Sequence, residues 1–358
     1  MLVEQPSQRL FLDGTKLLHH PRRLADWQSG KRVFPLHLDI SPAGACNHRC
    51  VFCIVDYKEH RKGFLNGSIL KKLLRDGAQL GVKSVLFAGD GEPLLNRDLP
   101  DAIVEGHDHG LSLALNTNAV MLKEDVAETV LPRLEWMRVS VAAGTAATYA
   151  EIHKCKERDF ERAIENVARA AEMKRRNNLA VTIGIQQILL AENVHEMSML
   201  AKTAKRVGAD YYVVKRFADN PRIDYTTPPN LHRDYEDAFR DIETLSDDTF
   251  KVIVRRSNFE DDGARAYNQC LGLPFLAYVL ADGGIYTCCG YYGDEEFCYG
   301  NLNEDTFENI WMSARQRQVI GFVENEVDVH TCMPHCRHHN INKLAWELRN
   351  PPDHVNFI

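Results

Sequence analysis

No apolar run in this 358-residue chain approaches the ~20 residues that cross a bilayer. Residues 1–30 also lack the apolar centre of a signal peptide. Positive charge is not in excess either. Lys and Arg number 43 against 50 Asp and Glu, a formal net charge of −7, which argues against a nucleic-acid or membrane surface. A small basic patch of Arg22, Arg23, Lys31 and Arg32 reads as a solvated face. The lead-in before residue 35 is too short to hold a peptide-recognition domain. These absences point to a cytoplasmic protein with neither nucleic acid nor membrane as partner. What the chain does have is cysteine, ten in all, a number that suits reduced thiolates holding metal in a reducing compartment.

Three of the ten stand in one stretch, Cys46-Asn47-His48-Arg49-Cys50-Val51-Phe52-Cys53. It follows an apolar run at 35–40 that reads as a buried strand. The stretch is therefore a thiolate cluster on a loop leaving a strand's C-terminal end. A structural zinc ion wants four closed ligands, and His48 or His60 would complete such a set. Three thiolates with an open fourth position equally suit a [4Fe–4S] cluster with one iron left for a small molecule. With Phe52 in the aromatic place, the spacing resembles the C-x3-C-x-aromatic-C signature of the radical S-adenosylmethionine (SAM) superfamily. That resemblance implies a [4Fe–4S] cluster on Cys46, Cys50 and Cys53, with Phe52 near the adenine of SAM.

From residue 35 onward, short apolar runs alternate with amphipathic stretches. Strands are expected at 35–41, 84–88, 111–116, 136–142, 180–188 and 211–214. Helices are expected at 68–81, 99–110, 123–131, 160–177 and 194–208. Gly81, Gly110 and Gly208 stand where helices stop. Repeated βα units imply a parallel sheet or barrel with helices outside. Six such units agree with the fold class that the resemblance implies: α/β, a partial (β/α)6 TIM-like barrel with a C-terminal twitch- or SPASM-like extension. In barrels of this kind the chemistry gathers at the C-terminal ends of the strands.

Three strand ends carry groups of the right type. Gly89-Asp90-Gly91-Glu92-Pro93 resembles the family's GGEP motif, which binds the methionine part of the cofactor, with Asp90 in place of the first glycine. Gly89, Gly91 and Glu92 are thus expected cofactor contacts, with Glu92 fixing the amine and touching the cofactor only. Asn116 and Asn118 offer amides for ribose or carboxylate. Ser140 resembles the family's serine-containing strand end, which also contacts the cofactor. Lys215 and Arg216 end the sixth strand, where a substrate could lie or where a plain surface pair could stand.

Residues 219–269 read as a linker with a helix and a strand, punctuated by Pro221, Pro228 and Pro229. A second cysteine group follows, with a helix expected at 306–322 before its last pair. Cys270, a Gly283-x4-Cys288 hairpin turn and the pair Cys332 and Cys336 offer four thiolates with no open position, which suits zinc or iron–sulfur alike. The group resembles the SPASM extension, or its shorter twitch form. It lacks the C-x2-C-x5-C-x3-C run of the full pattern, so one auxiliary [4Fe–4S] cluster is implied, with Cys298 a possible substitute ligand. Cys289 adjoins a ligand and is singled out, with Lys215 and Arg216, as catalytic. Cys155 reads as a buried small hydrophobe, and His335, His338 and His339 as groups beside the metal.

The expected organisation is a lead-in at 1–34, a radical SAM barrel at 35–218, the linker at 219–269, an auxiliary-cluster domain at 270–340 and a helical tail at 341–358. Taken together, the resemblances imply two [4Fe–4S] clusters, SAM, and a flavodoxin- or ferredoxin-type electron donor. The expected chemistry is hydrogen abstraction from a small polar substrate (sugar, cyclitol or aminoglycoside). An alcohol dehydrogenation, as in the cyclitol dehydrogenases that the twitch form resembles, is preferred. Epimerisation, peptide modification and a zinc scaffold stand as alternatives.

Overall fold

The structure, a computed structural model, describes residues 14–58, 63–228, 230–260, 264–334 and 336–357. His60, Pro229 and His335 lie outside the described residues.

Among the described residues, ten strands form one sheet: β1 (His37–Ile40), β2 (Ser84–Phe87), β3 (Ser112–Thr117), β4 (Trp136–Ser140), β5 (Thr182–Leu189), β6 (Tyr211–Arg216), β7 (Lys251–Val254), β8 (Leu276–Val279), β9 (Gly284–Tyr286) and β10 (Cys298–Asn301). Strands β1 to β7 run parallel in chain order. On the other side of β1 lies β8, also parallel to it, followed by the antiparallel strands β9 and β10. The C-terminal extension is thus hydrogen-bonded to the strand that feeds the first cysteine loop. The 219–269 stretch supplies β7, which continues the parallel sheet beyond β6.

Local sequence explains the outer helices. In the helix Gly67–Gln79, Asn66 caps the start by accepting the Ser68 N–H at 2.9 Å. Leu70, Leu73, Leu74 and Gly77 recur at helical spacing and are buried. Gly81, at φ +94°, supplies the left-handed turn that lets the chain return to β2. The helices Leu99–Asp108, Glu124–Val130, Glu157–Arg176 and Met197–Arg206 pack likewise.

Successive strand residues point to opposite faces of a sheet. Leu38, Ile40, Val85, Phe87, Leu113, Leu115, Met137, Val139, Tyr212 and Val214 belong to the main apolar core with the helices. The alternate set, Asp39, Asn116, Ser140, Gln186 and Lys215, faces the barrel interior and lines a cavity there.

Two elements differ from expectation. An additional helix, Ala146–His153, precedes Glu157–Arg176 and ends with Lys154 in the left-handed region at φ 49°. The helix expected over 306–322 is two, Phe307–Trp311 and Ala314–Asn325, because the Ser313 hydroxyl caps a new start by accepting the Gln316 N–H at 3.0 Å.

Candidate active site and auxiliary cysteine site

Cys46, Cys50 and Cys53 line a cavity of about 370 Å³ inside the barrel. Neighbouring segments fix their loop through its backbone. Arg49 and Val51 donate their N–H groups to the carbonyls of His153 and Ile152, both at 2.9 Å. Glu92 donates its N–H to the Ala45 carbonyl at 2.9 Å, and the Asn118 side chain donates to the Asn47 amide oxygen at 2.7 Å. Phe52 lines the same cavity and meets the His153 ring edge-on, with centroids 5.4 Å apart.

Gly89, Gly91, Glu92, Asn116, Asn118, Ser140, Lys215 and Cys289 line this cavity too. Glycine is required twice by close approach. A Cβ on Gly89, at φ +117°, would stand 2.2 Å from the Ser41 side chain, and one on Gly91 2.3 Å from the carbonyl oxygens of Ala43 and Ala45. Asp90 is accommodated because the Ser41 hydroxyl bonds its carboxylate and accepts its N–H at 3.2 Å. The Asn116 amide oxygen is buried with no hydrogen-bond partner, an acceptor left for a ligand.

Glu92 departs from the expectation that it touches only cofactor. Its carboxylate accepts the Leu94 N–H at 3.1 Å, the Thr117 hydroxyl at 2.5 Å and the Asn118 N–H at 2.8 Å. Two of these fall on Oε1 and one on Oε2, so one acceptor position is left on Oε2. The side chain straps the β2 loop to the β3 loop. Burial raises its pKa, and the three donors oppose the rise.

The inner wall is charged. Asp39 on β1 pairs with Arg337 at 2.9 Å, and His37 stands 3.1 Å from Asp39 and 2.9 Å from Arg337. Burial alone would raise the Asp39 carboxyl, but Arg337 and His37 hold it below its ordinary value. Lys215 is half-buried near the cations Arg255, Arg138 and Arg337, and burial first, then their repulsion, lowers it to about 7. Arg216 corrects an expectation. It points away from the cavity, with the core-facing Val214, and pairs with Asp219 at 3.0 Å.

The second cysteine group also converges. Cys270, Cys288, Cys332 and Cys336 line a cavity of about 50 Å³ with Cys289, walled by Leu273, Phe297, Val323 and Met333. Arg265 clamps the loop carrying Cys332 by donating to the carbonyls of Val329, Cys332 and Met333. The Asn342 amide donates to Cys270 Sγ at 3.4 Å. Cys298 does not line this cavity; its thiol lies 3.5 Å from the Gly300 carbonyl. Cys155 stands with neither group but near His48 and Asp159. His338 lines the auxiliary cavity with its Nε2 buried and unpartnered, and burial lowers it to about 4. His339 lies 3.0 Å from the Tyr267 hydroxyl.

Burial raises all seven of these thiols, with Cys46 and Cys270 reaching about 12 and Cys53 about 11. Thiolates in such surroundings need a bound cation to hold their charge. Three residues facing a roomy polar cavity, and four around a small apolar one, fit an open and a closed cluster respectively. Sequence reasoning did not single out His153, Asp39, Arg337, Arg265 or Asn342.

Comparison with known proteins decides between zinc and iron. Residues 40–204 match the family model for the radical SAM superfamily, and residues 270–338 match SPASM, an iron-sulfur cluster-binding domain. The chain carries a radical SAM domain followed by a SPASM domain. Radical SAM and SPASM domains imply [4Fe–4S] clusters and SAM as its cofactors. Among solved structures, it is similar to Streptococcus suis SuiB bound to precursor peptide SuiA, with 15% identity and a TM-score of 0.66 over 95% of this chain and 76% of that one. SuiB bound to S-adenosylmethionine matches with 16% identity and a TM-score of 0.63, over 88% and 73%. Native anSMEcpe with bound AdoMet and Cp18Cys peptide matches with 18% identity and a TM-score of 0.55, over 81% and 83%. At such identities the likeness shows a shared radical SAM fold. Among the described residues no helix is long and apolar enough to cross a membrane.

Proposed function

We propose that this radical SAM enzyme oxidises an alcohol carbon of a small polar substrate, a sugar, cyclitol or aminoglycoside, to a ketone. Cys46, Cys50 and Cys53 hold the cluster with the open iron, and Cys270, Cys288, Cys332 and Cys336 hold the auxiliary one. When bound, the first cluster and SAM supply a 5′-deoxyadenosyl radical that removes a hydrogen atom from substrate.

The chain's own residues do the rest. Asn116 and the remaining acceptor position on Glu92 Oε2 would hold SAM. Asp39, Gln186 and Arg337 offer hydrogen bonds suited to hydroxyls. Lys215, poised near neutrality, takes the hydroxyl proton, and a cluster held by Cys270, Cys288, Cys332 and Cys336 would supply the acceptor for the electron left on the substrate carbon. One observation carries this reading: Tyr278, Cys289 and Arg337 line both cavities, so a single layer of side chains separates substrate from auxiliary site. A cytoplasmic flavodoxin- or ferredoxin-type protein would supply the first electron.

The same wall supports a second reading. Cys289 lines the cavity, and its thiol could return a hydrogen atom to the opposite face, which is epimerisation. The peptides named with SuiB and anSMEcpe make peptides the rival substrate class. Reduced enzyme should be incubated with SAM and pools of polyols and peptides in two runs, one with deuterated pools in H2O and one with unlabelled pools in D2O. Deuterium in 5′-deoxyadenosine is expected from the first run, and a polyol-derived product two mass units lighter than its substrate from the second. Solvent deuterium in a product of unchanged oxidation state, lost in Cys289→Ala, would establish the epimerase instead.

A further inference from the structure

The helix Ala146–His153 has no part in the chemistry above, yet its last residue touches the first cysteine loop three ways. Its carbonyl accepts the Arg49 N–H at 2.9 Å, its ring meets Phe52 edge-on, and its Nδ1 lies 3.0 Å from Cys50 Sγ. The other ring nitrogen, Nε2, accepts the N–H of Ala142, just beyond the end of β4, at 3.2 Å. An imidazole nitrogen that accepts has no proton, so the ring proton sits on Nδ1 and points at sulfur. The rings of Tyr149, 4.1 Å away, and His48, 5.3 Å away, hold it in place. His48, Cys50 and His153 bring their ligand atoms within 4.8 Å of one another. A mononuclear metal there would need a lone pair on Nδ1, where the Ala142 contact puts a proton.

We propose that His153 is a positioning residue that donates an N–H···S hydrogen bond to the Cys50 thiolate and thereby raises the reduction potential of the cluster that cleaves SAM. Hydrogen bonds to cluster sulfurs are one of the levers that set such potentials, and partners of metal ligands tune the metal through the ligand. Reduction adds negative charge, and a donor to sulfur stabilises the reduced form more than the oxidised one. The inference rests on the assignment of Cys50 as a ligand of the open-iron cluster.

Three variants separate the two ring nitrogens. His153→Asn keeps a donor near the Nδ1 position and loses the acceptor for Ala142. His153→Gln reaches Ala142 but leaves Cys50 without its donor, and His153→Phe removes both while keeping the ring on Tyr149. The readout is an EPR-monitored redox titration of holoenzyme without SAM, following the cluster whose signal changes when SAM is added afterwards. At the potential where wild type is half reduced, the Phe and Gln variants should show about a tenfold lower reduced-to-oxidised ratio, a shift of ~59 mV for one electron. The Asn variant should stay close to wild type. A wild-type midpoint in His153→Phe would overturn the proposal, and so would loss in Asn with retention in Gln, which would assign the effect to the Ala142 contact. If the Phe variant does not hold its iron, wild-type enzyme labelled with 15N-histidine serves. A 15N coupling to the reduced SAM-responsive cluster is expected, and its absence would overturn the account. Cys50→Ala tests the underlying assignment separately: a variant that keeps the SAM-responsive cluster removes Cys50 from it, and this proposal falls with it.

Discussion

Three cysteines on one continuous loop face about 370 Å³ walled by glycine, amide and charge, whereas four gathered from three separate segments face about 50 Å³ walled by aliphatic and aromatic side chains. The first site has a missing ligand, room, and unspent polar groups such as the Asn116 oxygen. In the second, Arg265 and Asn342 hold the loop and a sulfur, and the thiols crowd a cavity too small for a substrate. On the proposed function, ligand count and cavity wall together separate a centre that would bind a small molecule from one that would pass electrons. Both sites share Tyr278, Cys289 and Arg337 as a partition, which on that proposal joins the two roles in one mechanism.

The comparison breaks most sharply at the thiolates. Cys50→Ala should abolish SAM cleavage, measured as 5′-deoxyadenosine, because a cluster short of one thiolate loses its distinct iron. Cys332→Ala should keep cleavage and lose oxidised product. Equal loss of both activities in the two variants would erase the distinction. Next in size is Glu92→Gln. The amide turns a donor toward N–H groups that now bond to carboxylate, leaving at least one buried donor unpaired at a cost of about 1–3 kcal/mol. A lower melting temperature and weaker SAM binding by calorimetry should appear together. Weaker binding at unchanged stability would restore the expectation that this residue meets cofactor alone.

A smaller effect is expected from pH. Lys215, lowered to about 7 by burial and neighbouring cations, must be neutral to accept a proton. Its neutral fraction grows as pH rises through 7, so ketone formation should rise over that range. Lys215→Met should flatten the profile while 5′-deoxyadenosine still forms. Smallest of all is Arg216→Ala. Its pair with Asp219 is about a third exposed and contributes roughly 0–1 kcal/mol, so activity should be unchanged. A large loss there would show that the strand end works as a two-cation unit.

Much of this was legible before any coordinates. Six strands, the hairpin and both cysteine groups follow from apolar runs, turn glycines and spacing, because those signals are local. Which of Lys215 and Arg216 faces the cavity was not legible: strand neighbours point to opposite faces, but Tyr211, Tyr212, Val213 and Val214 are all apolar and all buried, so the alternation had no polar face to start from. The break at Ser313 carried a capping signal in Ser313-x-x-Gln316 that a continuous apolar pattern masked. Other features were out of reach. The helix Ala146–His153 is short and rich in alanine, with its buried Tyr149, Ile152 and His153 crowded toward one end. The roles of Glu92 and His153 depend on partners 25 and 103 residues away, which spacing does not reveal.

The most direct test of the account is a single turnover with stoichiometric substrate, stopped by freezing. The first cluster starts reduced, the auxiliary cluster oxidised, and no further reductant is present. The account predicts one ketone product, two mass units lighter than substrate, for each new reduced auxiliary cluster seen by EPR. A product of unchanged oxidation state, formed while the auxiliary cluster stays oxidised, would contradict it.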